Sequence, residues 1–162
     1  MNHVWLLLGA NMGNEIKLFE QACKQIENKI GVCVNKSHIY TSPPWGFEHT
    51  NVFYNQALHI TTLLSADEVL HKCLLIEYVL GRTRNQTYGY EARIIDIDIL
   101  YFNDDIIQTS ELNIPHKLLH KRKFTLVPLC EIASDYIHPI LQLTNQKLLA
   151  MCEDEAEITR CK

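Results

Sequence analysis

The sequence predicts an α+β fold, a split βαβ sandwich in which an antiparallel sheet carries two helices on one face. Three observations lead there. Segments of strand-like and helix-like periodicity follow one another in the order β-α-β-β-α-β. Both long helical segments open on a capping residue and stop at a glycine. The last strand of the series, within ARIIDIDIL at residues 92 to 100, is rich in isoleucine, which sheets favour.

Taken in order, Val4 to Leu8 reads as a buried strand. GANMG, from Gly9 to Gly13, looks like a phosphate loop, but no GxxxxGK[ST] is present and no lysine follows. It is better read as a tight strand-to-helix turn. Asn14 caps a helix with apolar positions Ile16, Phe19, Cys23, Ile26 and Ile30, and Gly31 ends it. Val32 to Thr41 and Phe53 to Leu63 read as strands joined by SPPWGFEHTN. Ser65 and Glu68 form a capping box, opening a helix that runs to about Leu80 and stops at Gly81. The polar loop RTRNQTYGYEA leads into a strand from Arg93 to Phe102. A short strand at Ile106 to Gln108, a proline turn at IPH, a short helix near Leu126 to Ala133 and a final helix from Thr144 complete the chain. With both long helices on one face, the other face is left free for a site.

Composition narrows the function classes. The 162 residues suit a single domain with a full core, and 47% hydrophobic and 21% charged residues are ordinary for a soluble globular protein. A net charge of −4 gives no reason to expect nucleic acid as a partner. No apolar run reaches the roughly 18 residues of a membrane span, and the first residues lack the basic region of a secretory signal. None of the six cysteines forms a CxxC pair, which fits reduced thiols in a cytoplasmic protein.

The chemistry starts from Asp96 and Asp98. Strand side chains alternate faces, so both carboxylates point the same way, about 7 Å apart. Ile95, Ile97 and Ile99 then point under the helices. Two like charges on one face call for something positive. A hard cation is the simplest answer, since Mg²⁺ binds through one or two carboxylates plus substrate phosphates. A solvated face with two unremarkable acids is the bland alternative. Arg82, Arg84 and Arg93 flank the adjacent polar loop, and arginine suits bidentate contact with phosphate. That loop reads as a lid. His116 follows a proline and is a hydrogen-bond donor or acid near phosphate. His120 reads as a surface residue, because no HExxH or third ligand supports zinc. In SPPWG, Pro43 and Pro44 stiffen the chain and Trp45 offers a flat face. Phe53, Phe124 and the polar Asn55 could complete a pocket for a flat heteroaromatic ligand; for Trp45 alone, packing in a surface loop is the simpler explanation. Glu77 lies in the apolar stripe of the second helix and is placed either at the rim of the core or against a polar ligand.

Together LGANMGN, YTSPPWG, FYNQAL, IEYVLGRTR, ARIIDIDIL, IPH and RKFTLVPLCEIA resemble, in order, the 6-hydroxymethyl-7,8-dihydropterin pyrophosphokinase family of folate biosynthesis. The resemblance implies a ferredoxin-like fold with additional C-terminal elements and one pyrophosphokinase domain over residues 1–162. It implies transfer of pyrophosphate from MgATP to the pterin hydroxymethyl group with release of AMP. Asp96 and Asp98 would bind two Mg²⁺ ions that arrive largely with ATP. Glu77, Arg82, Arg84, Arg93, Ile99, His116 and Arg122 would contact ATP, with Arg82, Arg93, Asp96, Asp98 and His116 carrying catalysis. Ser42, Pro43, Pro44, Trp45, Phe53, Asn55, Tyr90 and Phe124 would form the pterin pocket of a monomer. Three positions depart from the family pattern: Tyr90 stands where a Trp is common, Gly89 where an arginine can occur, and Trp45 replaces an aliphatic residue. A non-enzymatic nucleotide-binding module and a metal-dependent phosphohydrolase are the rival readings.

Overall fold

The computed structural model describes residues 1–45, 52–81 and 94–161. Its elements are β1 (Asn2–Ala10), α1 (Glu15–Lys29), β2 (Val32–Lys36), β3 (Tyr40–Ser42), β4 (Phe53–Thr62), α2 (Ala66–Val79), β5 (Asp96–Phe102), β6 (Ile107–Gln108), β7 (Asn113–Ile114), α3 (Lys123–Ala133), α4 (Asn145–Ala150) and β8 (Thr159–Arg160). The main sheet runs β5-β1-β4-β3-β8, with β2 also paired to β4, and its ladders are antiparallel. This is the split βαβ order, with β5 at one edge.

The helix signals work as read. Asn14 accepts the Lys17 N–H at 3.1 Å, and the reciprocal Ser65–Glu68 capping box is complete. The two terminating glycines act differently. Gly81 takes φ +102°, a left-handed conformation that favours glycine. Gly31 is needed for space: a Cβ there would lie 2.1 Å from the Thr61 carbonyl oxygen.

One core lies between the sheet and the two long helices. Val4, Leu6 and Leu8 of β1 meet Phe19 and Ile26 of α1, Val69 and Ile76 of α2, and Ile95, Ile97 and Ile99. Ile16 does not join the predicted stripe. It is 51% exposed, and Ala22 takes a buried place instead.

The opposite face is not left open, contrary to expectation. Trp5 and Leu7 of β1 are buried there with Leu126 and Leu129 of α3 and Leu148 of α4. Helices therefore cover part of that face. A β-bulge helps divide the two regions. Trp5 pairs with Tyr101 but Leu6 with Ile99, so Leu100 is the extra residue. The bulge lets Leu100 and Tyr101 both join the second cluster, while Phe102 returns to the first.

The single strand expected from Val32 to Thr41 is divided. Ser37 donates its N–H to Ala57 O at 2.9 Å, and its Oγ accepts the Ala57 N–H at 3.0 Å. A hydroxyl has replaced a ladder carbonyl, so regular pairing stops and resumes at Tyr40. The short helix begins at Lys123, three residues earlier than expected. All six cysteines are free, and burial pushes the Cys23 thiol up to about 11 and Cys73 higher still.

Candidate active site

A cavity of about 500 Å³ opens at the β5 edge of the sheet. Three segments build it. Leu70, Leu74 and Glu77 of α2 form one wall. Asp96, Ile97, Asp98 and Ile99 of β5 form another. His116, Lys117 and Arg122, after β7, close the third. The predicted acids, His116, Ile99, Glu77 and Arg122 are thus brought together from distant parts of the chain.

Asp96 and Asp98 are half-buried, whereas Ile95, Ile97 and Ile99 are in the core behind them. Among the described residues no three His, Cys, Asp or Glu side chains gather into a metal cage. A pair of oxygen donors beside basic groups fits a hard cation whose shell is completed by water and phosphate. It does not fit a permanent structural zinc site.

His116 is set by its backbone. Its N–H donates to Leu100 O at 3.0 Å, and the preceding Ile114–Pro115 bond is cis. Its Nδ1 accepts the Leu118 N–H at 3.2 Å, which places the ring proton on Nε2. Burial, reinforced by the Arg122 charge and opposed by Asp96, pulls His116 down to about 4. The imidazole is therefore a neutral donor near pH 7.

Glu77 is 2% exposed, and its Oε1 accepts the Ile97 N–H at 2.7 Å. Arg122 is 6% exposed at the N-cap of α3. Its guanidinium carbon lies 4.8 Å from the Trp45 ring centre and 5.6 Å from that of Phe124. Arg122 thereby joins the cavity to the aromatic residues.

Those aromatics lie beside the cavity. Trp45 and Phe124 have centroids 6.5 Å apart at 66°, an edge arrangement rather than two parallel plates. Stacking a flat ligand on both would require one ring to turn. Ser42 faces Phe53 across the β3–β4 ladder. Asn55 is buried and donates from Nδ2 to Ser42 Oγ at 3.0 Å. Gly9 is its partner on β1, and a Cβ there would lie 3.7 Å from Asn55 Oδ1. Pro43 is exposed, and Pro44 half-buried.

Arg82, Arg84, Gly89, Tyr90 and Arg93, with the loop read as a lid, lie outside the described residues. His120 is a correction: it is half-buried, with its ring perpendicular to that of His138 at 6.3 Å. It sits in a 3₁₀ turn, Leu119–Lys121, so His116 and His120 do not share an α-helical face. Sequence reasoning did not single out Lys117 or Asn113, which also line the cavity. Adjacency to the IPH turn was the available signal.

The model of the 7,8-dihydro-6-hydroxymethylpterin-pyrophosphokinase (HPPK) family matches residues 5–134. The chain belongs to this family. HPPK membership makes it a diphosphotransferase. It is 39% identical over 140 residues to the 2-amino-4-hydroxy-6-hydroxymethyldihydropteridine pyrophosphokinase of Aquifex aeolicus, covering 86% of each chain. It is 39% identical over 134 residues to that of Bacillus subtilis, covering 82% of this chain and 79% of the relative. The folic acid synthesis protein FOL1 of Dictyostelium discoideum is 35% identical over 91% of this chain, which spans 22% of that longer protein. The fold is similar to that of wild-type Plasmodium falciparum HPPK-DHPS with pteroate, with TM-score 0.78 and 18% identity. That match covers 93% of this chain and 44% of the other. Among the described residues, no helix is long and apolar enough to cross a membrane.

Proposed function

We propose that the chain transfers pyrophosphate from MgATP to the hydroxymethyl group of 6-hydroxymethyl-7,8-dihydropterin and releases AMP. The observation that carries this reading is the convergence of Asp96, Asp98, His116 and Arg122 on one cavity, next to Asn55 and the aromatic residues. The substrate hydroxyl oxygen forms a bond to the β-phosphorus. The bond from that phosphorus to the bridging oxygen breaks, AMP departs, and the hydroxyl proton passes to solvent.

The protein works by positioning and charge rather than by a covalent intermediate. Asp96 and Asp98 would hold Mg²⁺, two ions in this reading. Bound Mg²⁺ supplies neutralisation of phosphate charge and lowers the pKa of a nearby hydroxyl. His116 offers its Nε2–H to a phosphate oxygen without adding charge. Arg122 presents a cation to the same group. Asn55 and Ser42 read the polar edge of the pterin, and Trp45, Phe53 and Phe124 cover its faces. Arg82, Arg84 and Arg93 are assigned to phosphate, and Tyr90 to the pterin, from the family pattern.

An assay for AMP with and without the hydroxymethyl pterin tests the reading. Pterin-dependent AMP and a pyrophosphorylated pterin are expected. Nucleotide cleavage that ignores the pterin would instead indicate a phosphohydrolase, and no AMP at all a binding module.

A further inference from the structure

Glu77 occupies a position where an acid is costly. The buried residues of α2 include Val69, Cys73 and Ile76, and Glu77 is buried with them. A carboxylate in such a place needs polar partners. One of them is the peptide N–H of Ile97, at 2.7 Å. That peptide belongs to β5, the outermost strand of the sheet. On its inner side β5 pairs with β1, with Asp96 opposite Gly9, Ile97 opposite Leu8 and Asp98 opposite Leu7. Successive N–H groups of a strand point to opposite edges. The Ile97 N–H therefore points away from β1, to the edge where no further strand pairs among the described residues, and Glu77 takes the place of a neighbouring strand.

We propose that Glu77 is a positioning residue: by holding the Ile97 N–H it sets the stretch of backbone from which Asp96 and Asp98 project. The inference rests on the metal role of the two acids proposed above. Ile97 is the single residue between them, so a rotation of its peptide moves both carboxylates. With the inner edge held by β1 and the outer edge by Glu77, neither can move freely. The Ile97 side chain, packed in the core, supplies the third restraint. This role differs from a direct contact with ATP, which the family resemblance suggests for Glu77.

Two variants separate the roles. Glu77→Gln keeps a side-chain oxygen that can accept the Ile97 N–H. Glu77→Leu keeps the volume and loses the acceptor. Amide exchange at Ile97 is read by NMR on the ligand-free protein, and Mn²⁺ affinity is read with a non-hydrolysable ATP analogue. The kcat and KM for ATP are read in the AMP assay. In Glu77→Leu, Ile97 exchange should accelerate by about tenfold or more and Mn²⁺ affinity should fall, with kcat reduced about tenfold or more. Glu77→Gln should restore the slow exchange and recover most of the lost kcat. The proposal is overturned if both variants raise KM for ATP equally while Ile97 stays protected, because that marks a ligand contact. It is also overturned if Ile97 exchange accelerates in Glu77→Leu with Mn²⁺ affinity and kcat unchanged. Should Glu77→Leu not fold, a folded Glu77→Gln with fast Ile97 exchange or kcat as low as an Asp96 variant overturns it alone. Lack of pterin-dependent AMP in the unaltered protein would reject the proposed reaction; the exchange and Mn²⁺ measurements still decide the role of Glu77.

Discussion

Asp96 and Asp98 carry the sharpest expectations. They stand on a strand whose alternate residues are core, so changing either to asparagine removes a charge, and with it the metal ligand proposed above, while leaving the packing untouched. Asp96→Asn or Asp98→Asn should lower kcat by about a hundredfold or more with little change in thermal midpoint. Near-normal turnover in either variant would end the metal-pair interpretation. Asn55 makes a different prediction. It is buried beside Ser42 on β4, with Gly9 of β1 between it and Asp96, and its polar partner is Ser42 rather than a group of the phosphate cavity, so its loss should act on one substrate. Asn55→Ala should weaken pterin binding by about tenfold and leave ATP binding nearly unchanged. Separate calorimetric titrations would show this, and equal losses for both ligands would contradict the assignment.

At the scale of elements, the α1–β2 turn and the seating of α3 set the geometry. Gly31 is pressed against the β4 backbone, which cannot yield as a flexible side chain can. Gly31→Ala should cost about 1–3 kcal/mol in urea unfolding, from overpacking rather than lost contacts. The α3 helix, which carries Phe124, is tied to β3 through Glu131. That carboxylate accepts the His38 N–H and the Tyr40 hydroxyl, both at 3.0 Å, and also the His38 ring. Arg160 of β8 meets the far nitrogen of the same ring. Partial burial pushes the Glu131 pKa up, but these hydrogen bonds outweigh it and hold the group below its ordinary 4.5. A lowered folded pKa means that the unfolded chain takes up the proton first. The stabilisation is therefore fully present above about pH 4.5 and is lost as pH falls through the folded value. Glu131→Gln should flatten the dependence of stability on pH below about 4.5, as acid unfolding curves would show.

In the proposed reading, the whole molecule assembles a cation site from two carboxylates and leaves the remaining ligands to the substrate. Mg²⁺ binding to the protein alone should be weak and should tighten by at least about tenfold with a non-hydrolysable ATP analogue. Calorimetry with and without the analogue checks this; a tight metal site in the absence of nucleotide would contradict it. The same assembly explains how charges that repel one another can share a strand. Asp96 and Asp98 face basic groups delivered by the turn after β7, and Glu77 takes up a backbone N–H beside them.

Local signals determined much of this protein. Caps at Asn14 and Ser65, the glycine stops and the two periodicities specify the order of elements, because each depends on residues a few positions apart. The alternation in IIDIDIL likewise placed both acids on one face without any tertiary information. Other features depended on partners far along the chain. Ser37 divides a strand because Ala57 lies beside it, and nothing between residues 32 and 41 announces that meeting. Trp5 and Leu7 closed part of the open face because α3 and α4 return to cover it. The bulge at Leu100 exists in the register between two strands, so neither strand encodes it alone. The sequence does not decide between core rim and ligand for Glu77, because an acid in an apolar stripe has the same helical spacing in both cases. Only the packing of α2 against the outer edge of β5 brought its carboxylate to the Ile97 N–H, because that hydrogen bond spans twenty residues and requires both elements to be in place.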